Sequence, residues 1–118
     1  MSRHSTEVRL RHMLDHEREA AQLMVGRVRE DLDGDRVLNL ALVRFMEIVG
    51  EAATRVPRVE CGRHPEIPWP EIMSLRNRLI HGYDEVDLDV LWGILTQDLP
   101  QLFTVLERIL ADSENPLL

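Results

Sequence analysis

The stretch Arg36-Val37-Leu38-Asn39-Leu40-Ala41-Leu42-Val43-Arg44-Phe45-Met46-Glu47-Ile48-Val49-Gly50 decides what kind of fold this chain adopts. Apolar side chains fall on nearly every face of it, with no strand-like alternation. It predicts a helix from about Arg36 to Val56, with Asp35 placed to cap its first turn. A helix apolar nearly all round must be covered on several sides, by other helices or by a second subunit. One polar stripe survives, made by Arg44, Glu47, Glu51 and Arg55 at spacings of three and four. It reads either as a solvated ion-pair ladder or as a stripe facing a cleft. Gly50 leaves room for a neighbouring backbone to come close.

Working outward, Leu10, Met13, Leu14, Ala21, Met24 and Val28 give a first helix from about Thr6 to Arg29 one buried face. Arg9, Arg11, Glu17, Arg18, Glu19 and Arg27 fall to its other faces. A proline-rich connection between Pro57 and Pro70 follows the central helix, with Ile67 and Trp69 as its anchors. Cys61 and His64 within it have metal-like spacing, but two ligands do not make a zinc site. A short third helix is predicted from Pro70 to His81, with Gly82 as its stop. Asp87 then caps a fourth, whose stripe runs from Leu88 through Leu91, Leu95, Leu99, Leu102 and Leu106 to Ile109. Pro100 must kink that helix or split it. Asn115 to Leu118 reads as a frayed tail. The expected fold is all-α: a four- to five-helix up-and-down bundle in a single domain, residues 1–118.

Composition narrows the function classes. No apolar run approaches the roughly 20 residues of a membrane helix. Nothing after Met1-Ser2-Arg3-His4-Ser5 resembles the hydrophobic region of a signal peptide. With Cys61 the only cysteine, a cytoplasmic location is expected. Every basic side chain apart from the histidines is arginine, and the net charge is −7. Such a surface repels nucleic acid as a whole, which argues against a general coat protein. A nuclease with a local basic site stays open.

The chemistry is concentrated in Arg76-Asn77-Arg78-Leu79-Ile80-His81-Gly82-Tyr83. Arginine grips phosphate in a planar fork, and histidine moves protons near neutral pH. On an ideal helix, Arg76 and His81 would point roughly 140° apart. Two arrangements reunite them: His81 lies beyond the helix end, or two copies of the motif meet across a two-fold axis. His81 would then serve as general acid and base, with Arg76 offsetting charge on a pentacovalent phosphorane. Asn77 could orient either group through its amide. The nucleophile in that reading is the 2′-hydroxyl of RNA, and no metal or cofactor is needed.

The pattern Arg76-Asn77-x-x-x-His81-x-Tyr83 resembles the signature of the HEPN superfamily, in particular its HepT-like branch. The similarity extends to Ile67-Pro68-Trp69, to Ile72, to Val86-Asp87, to Trp92-Gly93-Ile94 and to Asp98-Leu99-Pro100-Gln101-Leu102. Glu47-Ile48-Val49-Gly50-Glu51-Ala52 in the central helix belongs to it as well. The resemblance implies a helical bundle that dimerises through its motif helices. It implies a metal-independent endoribonuclease, the toxin of a toxin–antitoxin pair. The implied partner is a small MntA-like nucleotidyltransferase that adenylylates the motif tyrosine. Carried onto this sequence, Arg76 and His81 are the catalytic pair, Asn77 supports them and Tyr83 accepts AMP. Glu51 falls where the second helix borders the groove.

The same residues also fit a non-catalytic module that pairs with a nucleotidyltransferase and presents substrate or nucleotide to it. A plain dimeric bundle with a structural motif is a third reading. Neither the RNA substrate nor the stoichiometry with a partner follows from the sequence.

Overall fold

A computed structural model describes residues 3–81 and 85–114. It is almost entirely helical: α1 (Arg3–Met24), α2 (Arg29–Gly34), α3 (Arg36–Thr54), α4 (Arg58–Cys61), α5 (Trp69–Met73), α6 (Leu75–Leu79), α7 (Leu88–Gly93) and α8 (Leu99–Glu114). A π-helical turn, Ile94–Asp98, joins α7 to α8. Two short strands, β1 (Ile80–His81) and β2 (Glu85–Val86), pair antiparallel. Among the described residues, no helix is long and apolar enough to cross a membrane.

The central helix forms as its pattern demands. Asp35 accepts a hydrogen bond from the Leu38 backbone N–H at 3.0 Å, capping α3. Leu38, Leu42, Val43, Met46, Val49 and Ala53 are buried, with α1 packed along one side and α5 and α6 along another. Val37 and Leu40 are nevertheless exposed, so these helices do not cover α3 fully. Arg29 ties α2 to α7 through Asp89, with N–O distances of 2.7 and 2.9 Å. Ile67 and Trp69 anchor the connection as expected, the indole N–H donating to the carbonyls of Cys61 and His64 at 3.1 Å.

Several expectations need correction. The first helix stops at Met24 because Gly26 turns the chain with φ +73°, a left-handed conformation that ends a helix; Val28 is therefore exposed. Glu17, assigned to the outer faces of that helix, is buried at 1 % exposure. It stands four residues after Met13 and three after Leu14, on the same stripe, and α8 covers that side too. The predicted helix from Pro70 to His81 is two short helices that meet at Ser74, and it ends at Leu79. Ile80 is extended (φ −111°, ψ 119°), which carries His81 off the helix and into the strand pair. By contrast, the last stripe is split as expected, into α7 and α8, with the π turn between them ending just before Leu99 and Pro100. The Leu99 N–H bonds back to the Ile94 carbonyl in a wide turn, and Pro100 follows in the first turn of α8, where a missing N–H is tolerated. Gly82, Tyr83 and the tail Asn115–Leu118 lie outside the described residues.

Gly50 is a point of close approach. A Cβ there would meet the Ile72 carbonyl oxygen at 3.0 Å and the Leu75 Cβ at 3.6 Å. Gly50→Ala is therefore expected to lower stability by about 1 kcal/mol. Overpacking of about 2 kcal/mol outweighs the helix-propensity gain of about 1. A urea midpoint that stays level or rises would contradict this.

Burial pushes the Glu17 carboxyl up from 4.5 to about 8, and among the described residues neither of its oxygens has a hydrogen-bond partner. A raised folded-state value means that stability is full below pH 4.5 and is lost as pH climbs toward 8. Wild type should lose roughly 3 kcal/mol between acid and neutral pH through this group. Glu17→Gln should flatten that slope; parallel pH profiles of the two melting temperatures would refute the assignment.

Candidate active site

Leu75 and Leu79 bury one side of α6 against α3 and α7, which leaves Arg76 and Asn77 on the outer side. The Arg76 side chain is 71 % exposed, and its Nε lies 3.4 Å from Oε2 of Glu47, a quarter-exposed carboxylate on α3. Arg78, on the same helix, reaches Asp98 of the π turn at 3.4 Å. The motif helix is thus held at its ends by ionic contacts to two different elements.

His81 follows two residues after α6, paired in the strand ladder with Glu85. Its ring is 58 % exposed, and Nε2 lies 3.6 Å from Oδ2 of Asp87. The other oxygen of Asp87 accepts from the Val90 backbone N–H at 3.1 Å, capping α7, while the Asp87 N–H donates to the Leu79 carbonyl at 2.8 Å. One carboxylate therefore fixes the chain before α7 and faces the imidazole. It can hold a protonated ring by charge and bias its orientation.

Arg76 and Asn77 on α6 and His81 on β1 are all exposed, on consecutive elements of the chain. Arg76 leans on α3, whereas His81 leans on the start of α7. The helical argument for 140° divergence lapses, since the helix ends before Ile80. Glu51 bonds Arg55 one turn along its own helix at 3.1 Å, as a solvated pair. Its neighbour in the polar stripe, Glu47, is the one that turns toward the motif. The stripe thus divides between the two readings given to it. Tyr83 lies outside the described residues.

Two carboxylates beside the motif carry no site role in the sequence reading. Asp87 is expected there as a cap and Glu47 as one member of a stripe, and both fall in stretches that share the family resemblance. A polar residue on a helix otherwise apolar all round was the available signal for Glu47. Next to these groups runs a groove of about 280 Å³, lined by Asn39, Leu40, Val43, Glu47, Ile80 and Leu88 among others. Among the described residues, no three His, Cys, Asp or Glu side chains gather to hold a metal ion.

Residues 13–109 match the family model described as Ribonuclease HepT-like. The chain is 40 % identical over 80 residues to the "Probable ribonuclease HepT" of Thermococcus cleftensis, covering 68 % of this chain and 73 % of that protein. It is 34 % identical over 101 residues to a candidate RNase of Caldanaerobacter subterraneus subsp. tengcongensis, covering 82 % and 90 %. A candidate RNase of Methanocaldococcus jannaschii is 30 % identical over 81 residues, covering 69 % and 67 %. No solved structure matches significantly. With a family match that runs from the middle of α1 through all of α3 and the whole of the motif into α8, the chain belongs to the HepT-like ribonucleases of the HEPN superfamily.

Proposed function

We propose that this chain is a metal-independent endoribonuclease, the toxin of a toxin–antitoxin pair, with its active groove formed where two copies meet. The observation that carries the reading is the exposure of Arg76 and His81 on neighbouring elements, each beside a carboxylate that can hold it. Arg76 grips the scissile phosphodiester and offsets charge as the phosphorane forms. His81 takes the proton of the 2′-hydroxyl or gives one to the departing 5′ oxygen, and the partner copy's imidazole takes the complementary role. Asn77 orients the phosphate or the ring, and Asp87 steadies the imidazolium. Glu47 competes with RNA for Arg76 until the phosphate, the stronger bidentate partner, displaces it.

Dimerisation is supported by the exposed Val37 and Leu40 on α3, close to the groove that Ile80 and Leu88 line. Apolar side chains left open next to a polar site are what a second copy would cover. The overall charge of −7 fits a toxin whose basic site is local and whose remaining surface discourages indiscriminate RNA binding.

Silencing by an MntA-like nucleotidyltransferase follows the same chemistry. The Tyr83 hydroxyl attacks the α-phosphorus of ATP, pyrophosphate leaves, and AMP remains on the phenol. Bulk and negative charge two residues from His81 then oppose phosphate binding.

Expression of wild type beside His81→Ala and Arg76→Ala tests the catalytic reading. Growth arrest should be lost in both variants, and wild-type RNA fragments should end in 2′,3′-cyclic phosphate. Equal growth with all three soluble proteins would favour the non-catalytic module instead. Asp87→Asn keeps a good capping side chain and removes the charge facing His81, so cleavage should fall roughly tenfold while the melting temperature holds. Tyr83→Phe should cleave RNA normally yet escape silencing when the nucleotidyltransferase is co-expressed. Normal neutralisation of that variant would show that AMP goes elsewhere.

A further inference from the structure

Away from the motif, Glu17 is a buried carboxyl that no hydrogen-bonding group among the described residues answers. It lines a cavity of about 380 Å³ between α1, the π turn and α8, walled mainly by Met24, Leu95, Leu99, Pro100 and Phe103. That volume lies within the range of small-molecule sites, about 300–1,000 Å³. The cavity shares no lining residue with the groove beside the motif.

The polar equipment of this cavity is one-sided. Besides Glu17, its only hydrogen-bonding side chain is Thr104, whose hydroxyl donates to the Pro100 carbonyl at 3.1 Å. What Thr104 has left to offer is lone pairs. Glu17 offers one O–H while it holds its proton and only lone pairs once ionised, so an occupant that draws out the ionised form is one that brings donors and positive charge. An ammonium group has three donors and no acceptor, and an apolar stem would suit the remaining walls. The Arg18 guanidinium lies 5.7 Å from the centre of the ring of Phe103, a wall residue, and pairs with Asp15 and Glu107 at 3.9 and 3.7 Å. Its charge is thus already met by two carboxylates, and the chain as a whole attracts cations.

We infer that this cavity binds a small organic cation, an ammonium group on an apolar stem, with Glu17 as its counter-ion and Thr104 as a further acceptor. On binding, the proton that Glu17 holds in the empty cavity passes to solvent, and the N–H donors of the ligand take its place. No bond to carbon forms or breaks. The ion pair forms at carboxylate oxygens that are themselves buried, so it discriminates against a neutral analogue of the same shape.

Calorimetric titration of the whole chain with n-hexylamine and with n-hexanol separates charge recognition from mere cavity filling. Wild type should bind the amine at least about tenfold more tightly than the alcohol. Glu17→Gln, and Glu17→Met as a second variant of similar length, should bind the two compounds alike. Amide and methyl chemical-shift changes on adding the amine should cluster at Leu95, Leu99 and Phe103. Equal affinity of wild type for both compounds, no detectable amine binding, a preference that persists in both variants, or shifts confined to other surfaces would each overturn the proposal.

Discussion

The absence of a side chain at Gly50 is the constraint on which the position of the motif depends. The Ile72 carbonyl sits where a methyl group would begin, and Leu75 packs just beyond it. Through that contact α5 and α6 settle onto α3 at a depth from which a Cβ would push them back. Leu75 and Leu79 are then buried, and Arg76 and Asn77 are turned outward. The site is therefore presented by rigid helical packing, even though its key residues lie on elements of five residues and two.

Charge at the site is held rather than left to solvent. Arg76 rests against Glu47, Arg78 against Asp98 and His81 against Asp87, each pair joining different elements. All three distances exceed 3.3 Å, the range of loose ion pairs that exchange readily for a better anion. A motif arranged in this way is oriented by contacts that an incoming anion can replace.

Much of the fold was legible because long amphipathic and all-apolar helices announce themselves by periodicity. The caps at Asp35 and Asp87, the anchors Ile67 and Trp69, and the close approach at Gly50 could all be read from residue chemistry. The motif residues were legible through resemblance, since Arg76 and His81 alone make a weak pattern. Short-range geometry was harder to read. The break at Ser74 and the extended Ile80 depend on packing against α3 and pairing with Val86, which no local preference encodes. Glu17 is misplaced by sequence because a charged residue is expected outside, although it stands in line with Met13 and Leu14 on the apolar stripe. Glu47 and Asp87 became visible as neighbours of the motif only when distant parts of the chain were brought together.

The π turn gives the last helix a tolerance that the rest of the molecule lacks. Leu91, Leu95 and Leu99 are spaced four and four, and two such steps overrun a regular helix by about 80°. The wide turn absorbs that surplus, so Leu99, Leu102 and Leu106 still meet the core. Ile94–Asp98 is in effect a spare residue stored in the chain. Shortening it by one would leave an ordinary helix in phase, whereas the same deletion farther along α8 would swing its remaining leucines toward water.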